Sequence, residues 1–250
     1  GKYIYKSDKS FLCMVLGEIK GGFNILAQSF RYIGREPGFL FMYLVSAILV
    51  MIFIFLFGTP RELSLANPLL YLVYVLWFIV VFTPSIAGTA LKADARRSEK
   101  GKIHAGRAFS LGRGYLFPFG VASLVLTILV IIVAFIVIGV LSVIEGELRT
   151  TYATLNIAII SIIVIYLTSR FSFYAPICVF EAQGTASLWR SWSQTKGKVT
   201  KVFTVTLITF LIYQALYTSL LLVPDFGRYL SLLSLMIAGP IFFVSATLLY

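Results

Sequence analysis

The sequence is short of what aqueous catalysis requires. It holds one histidine, His104, two cysteines, Cys13 and Cys178, and ten acidic residues against 21 Lys and Arg in 250 positions. Charged residues make up 12% of the chain, about half the share usual in a soluble domain. The carboxylates form none of the spaced pairs that glycosidases or metal sites use. Walker, His-Glu-x-x-His, Cys-x-x-Cys and Gly-x-Ser-x-Gly motifs are all missing. His104 lies beside Lys102 and Arg107 and reads as a surface residue. An enzyme would need Glu181, His104 and basic residues to converge at one interface. The residues therefore point to a non-enzymatic protein that needs no metal or cofactor. The cysteines are far apart and both fall on the side read below as reducing, so no disulfide is expected.

What the chain has in excess is apolar length. Apolar residues make up 59% of it, and they gather in six stretches, at Phe39–Phe57, Leu69–Leu91, Tyr115–Ile144, Leu155–Phe180, Val202–Val223 and Tyr229–Tyr250. A bilayer core of about 30 Å takes about 20 helical residues. Barrel strands are about ten residues of alternating polarity, so these runs predict an all-α polytopic bundle of six transmembrane helices. Phe11–Leu16 is too short an apolar core for a signal peptide. The chain opens at Gly1 and ends within an apolar run at Tyr250, which leaves room for residues beyond either end.

All the basic residues except Arg61, Arg149, Arg170 and Arg228 fall before the first stretch, after the second or after the fourth. Positive loops stay cytoplasmic. This predicts N and C termini in the cytoplasm and a multi-pass protein of a prokaryotic plasma membrane. The net charge of +11 is then a topological signal, which argues against nucleic acid. Anionic lipid at the cytoplasmic face is the expected partner, at about 1 kcal/mol per basic residue near the surface. The Lys92–Lys102 gap reads as a solvated helix extension or loop, with docking of a cytoplasmic partner as its functional alternative. Glu145, Glu147 and Arg149 read as a solvated extracellular turn.

A threefold repeat is also legible. Three amphipathic stretches each precede an odd-numbered span, with apolar stripes at helical spacing. The stripes are Phe23, Leu26, Ala27, Phe30 and Ile33; then Ala105, Ala108, Phe109, Gly112 and Leu116; then Leu188, Trp189, Trp192 and Val199. Phe30, Phe109 and Trp192 are each followed by a glycine and a cation: Gly34 and Arg35, Gly112 and Arg113, Lys196 and Gly197. Aromatic rings and Arg or Lys heads favour the headgroup layer, and the glycine is expected to end each surface helix. Pro84, Pro176 and Pro240 are expected to kink the even-numbered spans. One membrane domain, residues 1–250, then holds three parallel units at approximately 11–91, 92–180 and 181–250.

Arg170 stands apart as a cation inside the fourth stretch. Burying it is unfavourable by about 2.5–3.5 kcal/mol on insertion scales. It lies about ten residues from the cytoplasmic end, or about 15 Å. Ser169, Ser172 and Gln214 are candidate partners, in a structural polar cluster or in a site for an anionic ligand or lipid. Glu181, about 16 Å further along, would reach Arg170 only if the helix bent at Pro176.

From Tyr174 to Phe203 the chain passes from a proline-containing span, through Glu181 and Gly184, to Leu188, Ser191, Trp192 and a Lys196-Gly197-Lys198 turn. This resembles the repeated signature of a broad group of uncharacterised bacterial and archaeal six-helix membrane proteins. The group is similar to the membrane domain of some glycerophosphodiester phosphodiesterases. Pro176, Glu181, Gly184, Leu188, Ser191, Trp192 and Gly197 would be its structural motif positions. The catalytic domain of those enzymes has no counterpart here, so the resemblance implies a membrane module. The function expected is a scaffold, anchor or accessory subunit at the inner leaflet, with a membrane or cytoplasmic protein partner. The alternative is a transporter or channel for a lipid or small anionic solute using Arg170.

Overall fold

Long apolar runs leave the backbone no partner but itself, and every element of the computed structural model is helical among the residues it describes. These are residues 5–58, 68–98, 102–148, 153–181, 184–223, 227 and 233–250. In chain order the helices are α1 (Tyr5–Arg35), α2 (Gly38–Phe57), α3 (Pro68–Arg97), α4 (Ala105–Gly112) and α5 (Leu116–Leu148). They continue with α6 (Ala153–Arg170), α7 (Tyr174–Glu181), α8 (Ala186–Gln194), α9 (Val199–Leu221) and α10 (Ser234–Leu249). Short 3₁₀ turns, Arg113–Tyr115 and Lys196–Lys198, lead into α5 and α9.

Five segments are long and apolar enough to cross a membrane: Gly38–Phe57, Leu72–Arg97, Ala105–Val140, Ala158–Glu181 and Lys196–Leu221. The sixth stretch is described only as the shorter helix Ser234–Leu249. Its first residues lie outside the described ones, as do Arg61, Lys100, Arg149 and Arg228. Large apolar side chains such as Phe55, Leu56, Phe135 and Ile136 are more than half exposed. A surface of that kind is a liability in water and costs nothing against hydrocarbon.

Helix packing follows the small residues. α4 lies on α3, where a Cβ on Gly88 would stand 2.8 Å from the Ala108 carbonyl oxygen and one on Gly112 would overlap that of Pro84. α1 packs across α9 and α10, with the hydroxyls of Ser29 and Ser245 2.7 Å apart. α8 packs on α7. The core where these layers meet draws Phe39 and Met42 from α2, Phe173 and Ile177 from the α6–α7 region, and Ile241 and Val244 from α10.

Several expectations change. Glu145 and Glu147 belong to the last turn of α5 and not to a turn outside it. Lys92 lies within α3 and is 5% exposed, so the gap it opens is not solvated there. Pro84 and Pro240 lie inside continuous helices, whereas Pro176 sits in the first turn of α7, behind an interruption. Gly112 is the last residue of α4, but its backbone is right-handed helical and its lack of a side chain serves close packing. Among the described residues the positive-φ glycines are Gly58, at the end of α2, and Gly184, at the entry to α8.

Replacing Gly112 by alanine should destabilise the protein by about 1–3 kcal/mol, the usual range for overpacking. Gly114→Ala, which places a Cβ in open space, should be neutral in the same detergent unfolding measurement.

Candidate functional site

The interruption between α6 and α7 builds the most polar buried site. At Phe171–Phe173 the helix gives way to turns, with Ser172 N–H donating to Ser169 O at 3.3 Å and Tyr174 N–H to Phe171 O at 3.0 Å. Pro176 has no N–H for the Ser172 carbonyl, which removes one rung of a continuous ladder. An interruption orphans backbone groups, and buried ones must find partners. Ser191 of α8 supplies two of them: its hydroxyl donates to Arg170 O at 3.0 Å and accepts from Phe173 N–H at 3.1 Å. Thr195 adds a 3.3 Å bond to the same carbonyl. One turn back, the Cys178 thiol donates to the Ser187 hydroxyl at 3.0 Å. Ser187, Ser191 and Thr195 are all fully buried. Their spacing of four puts them on one face of the chain entering α9, the small-xxx-small pattern that lets membrane helices approach closely.

Arg170 is 4% exposed at the last turn of α6, beside the interruption that divides the Ala158–Glu181 segment. Its guanidinium donates to Trp192 O at 2.8 Å and lies 4.2 Å from the centre of the Trp192 ring. The Trp192 carbonyl belongs to the last turn of α8, where a cation is also favoured by the helix dipole. A desolvated cation–π contact contributes about 2 kcal/mol, and a hydrogen bond from a charged donor about 1.5–3. Together they are at least as large as the insertion cost, so these two contacts offset much of the burial of Arg170. Its Nε and the buried Ser172 hydroxyl remain without hydrogen-bond partners.

The other expected partners lie elsewhere. Ser169 donates to Ile165 O at 2.7 Å within its own helix. Gln214 is exposed, near the far end of α9. Glu181 pairs with Arg190 at 2.7 Å and accepts a hydrogen bond from Tyr250. His104 is exposed before the first turn of α4. No group of three His, Cys, Asp or Glu suited to a metal ion occurs among the described residues.

The amphipathic faces differ from the expected stripes. The second one is kept: Ala108 and Gly112 are buried, and Arg113 lies 5.4 Å from the Phe109 ring. In α1, Leu26 and Ile33 turn inward while Phe23 and Phe30 are about half exposed, as is the neighbouring Arg35. In the third, Leu188 is buried but Trp189 is 81% exposed, and the hydroxyl face takes the inner position. Lys196 is exposed in the turn that follows.

Sequence reasoning missed a second buried polar cluster. Lys92 and Glu36 form an ion pair, with Lys92 Nζ also donating to Ile103 O at 2.8 Å and lying 5.1 Å from the Phe39 ring. Arg96 approaches Glu36 at 3.5 Å. The cluster ties the α1–α2 elbow to α3 and to the segment entering α4. Glu36 and Lys92 are 56 positions apart, and no local pattern links them.

Cavities lie between helices among the described residues. One of about 370 Å³ lies between α3, α5 and Tyr174; another, of about 270 Å³, lies between α6, α9 and α10. Arg170 lines neither. No family model, curated protein or solved structure matches the chain.

Ser191→Ala orphans the Phe173 N–H and weakens the hold on Arg170 O, and should lower stability by about 1–3 kcal/mol. A double-mutant cycle of Arg170→Leu with Trp192→Leu, read by unfolding in detergent, should give a coupling of about 1–2 kcal/mol. Independent effects would refute the direct contact.

Proposed function

We propose that the chain is a six-span, non-enzymatic protein of a prokaryotic plasma membrane, a scaffold, anchor or accessory subunit with both termini in the cytoplasm. The observation that carries this reading is the fate of its buried charges. Arg170 closes on Trp192 and Lys92 on Glu36, and the partly buried Glu181 closes on the exposed Arg190 and on Tyr250. Each contact ties separate parts of the bundle together, which is what a rigid platform requires. A transporter using Arg170 would need a polar path to the guanidinium, and that group is occupied by an indole ring and a carbonyl. The resemblance to uncharacterised six-helix membrane proteins agrees with a module that works without a catalytic domain.

The threefold repeat belongs to the same proposal, and the packing supports it. Taken as units, each surface helix lies on the spans of the preceding unit: α4 on α3, α8 on α7, and α1 on α9 and α10. The last relation closes the ring. A 3₁₀ turn carrying a cation follows both α4 and α8. Phe39, Phe173, Ile177, Ile241 and Val244 fill the place where the three units meet. The outward side chains of the surface helices, among them Phe30, Arg35, Arg113, Trp189, Arg190 and Lys196, are suited to anionic headgroups of the inner leaflet.

Topology is tested with Cys13, which is exposed, against Cys178, which is buried. A membrane-impermeant maleimide should label Cys13 in inside-out vesicles and leave it untouched in intact cells, with Cys178 protected in both. Labelling of Cys13 from outside would sink the assigned orientation. Crosslinking in native membranes followed by affinity isolation should recover a protein partner in near-stoichiometric amount. Isolation of the chain with neither partner nor anionic lipid would overturn the scaffold reading.

A further inference from the structure

The cavity between α3 and α5 is unlike the rest of the lipid-facing surface. It runs along α3 from Ile86 to Tyr74, twelve positions and therefore about 18 Å at helical rise. One leaflet of a bilayer core of about 30 Å is about 15 Å deep. Its walls are apolar and aromatic: Phe78 and Phe82 stack at 4.5 Å, and the Phe119 and Tyr174 rings lie 4.9 Å apart. At about 370 Å³ it falls within the range of small-molecule sites. A water-soluble occupant would exchange its hydration for a handful of hydroxyls, an unfavourable trade.

Of the polar residues that line the cavity, Ser123 and Tyr174 meet toward one end, Thr127 donates to Ser123 O at 2.8 Å within its own helix, and Tyr74 lies at the other end. The Ser123 and Tyr174 hydroxyls stand 3.2 Å apart. Ser123 is seven positions into α5 and Tyr174 seven before the end of α7. Both are therefore about 10 Å from the face where the basic residues gather. One hydroxyl hydrogen is used between the pair, and the second remains to be donated. Such a site favours an occupant with a long apolar chain and an acceptor that carries no charge and no proton.

We propose that this cavity is a binding site for one acyl chain of a phospholipid, whose ester carbonyl accepts a hydrogen bond from the Ser123–Tyr174 pair. The chain lies along α3 toward Tyr74, and its glycerol and headgroup emerge at the basic face. The cleft's length, its apolar lining and the single spare donor at the headgroup end together select an esterified chain. A free fatty acid would bring a carboxylate into an apolar wall. The lipid is then a bound component of the α3–α5 contact, distinct from the lipid that bathes the open side of α5.

The test uses the full chain in nanodiscs of phosphatidylethanolamine and phosphatidylglycerol. These are doped with a phosphatidylcholine that carries a photoreactive diazirine in one acyl chain. After irradiation, mass spectrometry should find adducts concentrated at Val75, Ile79 and Leu126, which line the cavity. Val125, Ile128 and Leu129 are exposed at the same depth of α5 and serve as the internal control. Leu126→Trp should abolish the labelling of Ile79 and leave that of Ile128 unchanged. The pair Ser123→Ala and Tyr174→Phe should lower it about fivefold, the effect of one ordinary hydrogen bond. Equal labelling of cavity and open face in the wild type would mean surrounding lipid only and overturn the site, whether or not any variant folds. Undiminished labelling without the two hydroxyls would overturn the ester contact.

Discussion

A helix that stops inside an apolar bundle leaves amide and carbonyl groups that must be paired on the spot. The interruption at Phe171–Phe173 imposes that constraint, and the neighbouring structure is arranged around it. Ser191 serves both sides of the gap, Thr195 shares the Arg170 carbonyl, and the Arg170 side chain returns to cap the helix that supplied those hydroxyls. The placement of α8 follows, and with it the entry into α9. Arg170 thus serves two helix ends at once, closing α6 and capping α8.

Elsewhere the same bundle closes by short side chains. Van der Waals contact and interhelical hydrogen bonds, not exclusion of water, hold helices together in lipid. Gly88, Ala108 and Gly112 bring α3 and α4 to backbone contact. Ser46 donates to Val81 O and Ser85 to Met42 O, both at 2.7 Å, which joins α2 to α3 beside Pro84. Ser29 and Ser245 join α1 to α10. Hydroxyls that reach across to a neighbouring helix add directionality to contacts that apolar groups alone would leave free to slide. The outer part of α5 has few such residues and remains largely exposed.

Much of this was open to a reader of the sequence, and the misses have a common cause. Hydropathy located the long helices because the length of a span is a local property. Helical periodicity marked the second amphipathic segment correctly, with Ala108 and Gly112 on its inner face. In the third, Leu188 of the apolar stripe is buried and Trp189 stands outside, while Ser187, Ser191 and Thr195 take the inner face, which the stripe did not indicate. Hydrophobicity ranks those residues as polar and outward. Their buried position depends on a gap in another helix that no local pattern reveals. The spacing of four between them was the available signal.

The sequence alone determined the all-α class, the place of five long apolar helices, and the segregation of positive charge, because each depends on composition within a window of residues. It also singled out Arg170 as a position that had to be explained. Only the tertiary structure decided the explanation. Whether a buried guanidinium needs a ligand depends on which groups are brought within 3–4 Å of it. Here those groups come from Trp192, on a helix that reaches Arg170 only through folding. The pairing of Lys92 with Glu36 was hidden for the same reason, since it joins α3 to the distant α1–α2 elbow. Side-chain chemistry is local and so can be read along the chain; partnership is a matter of distance in space.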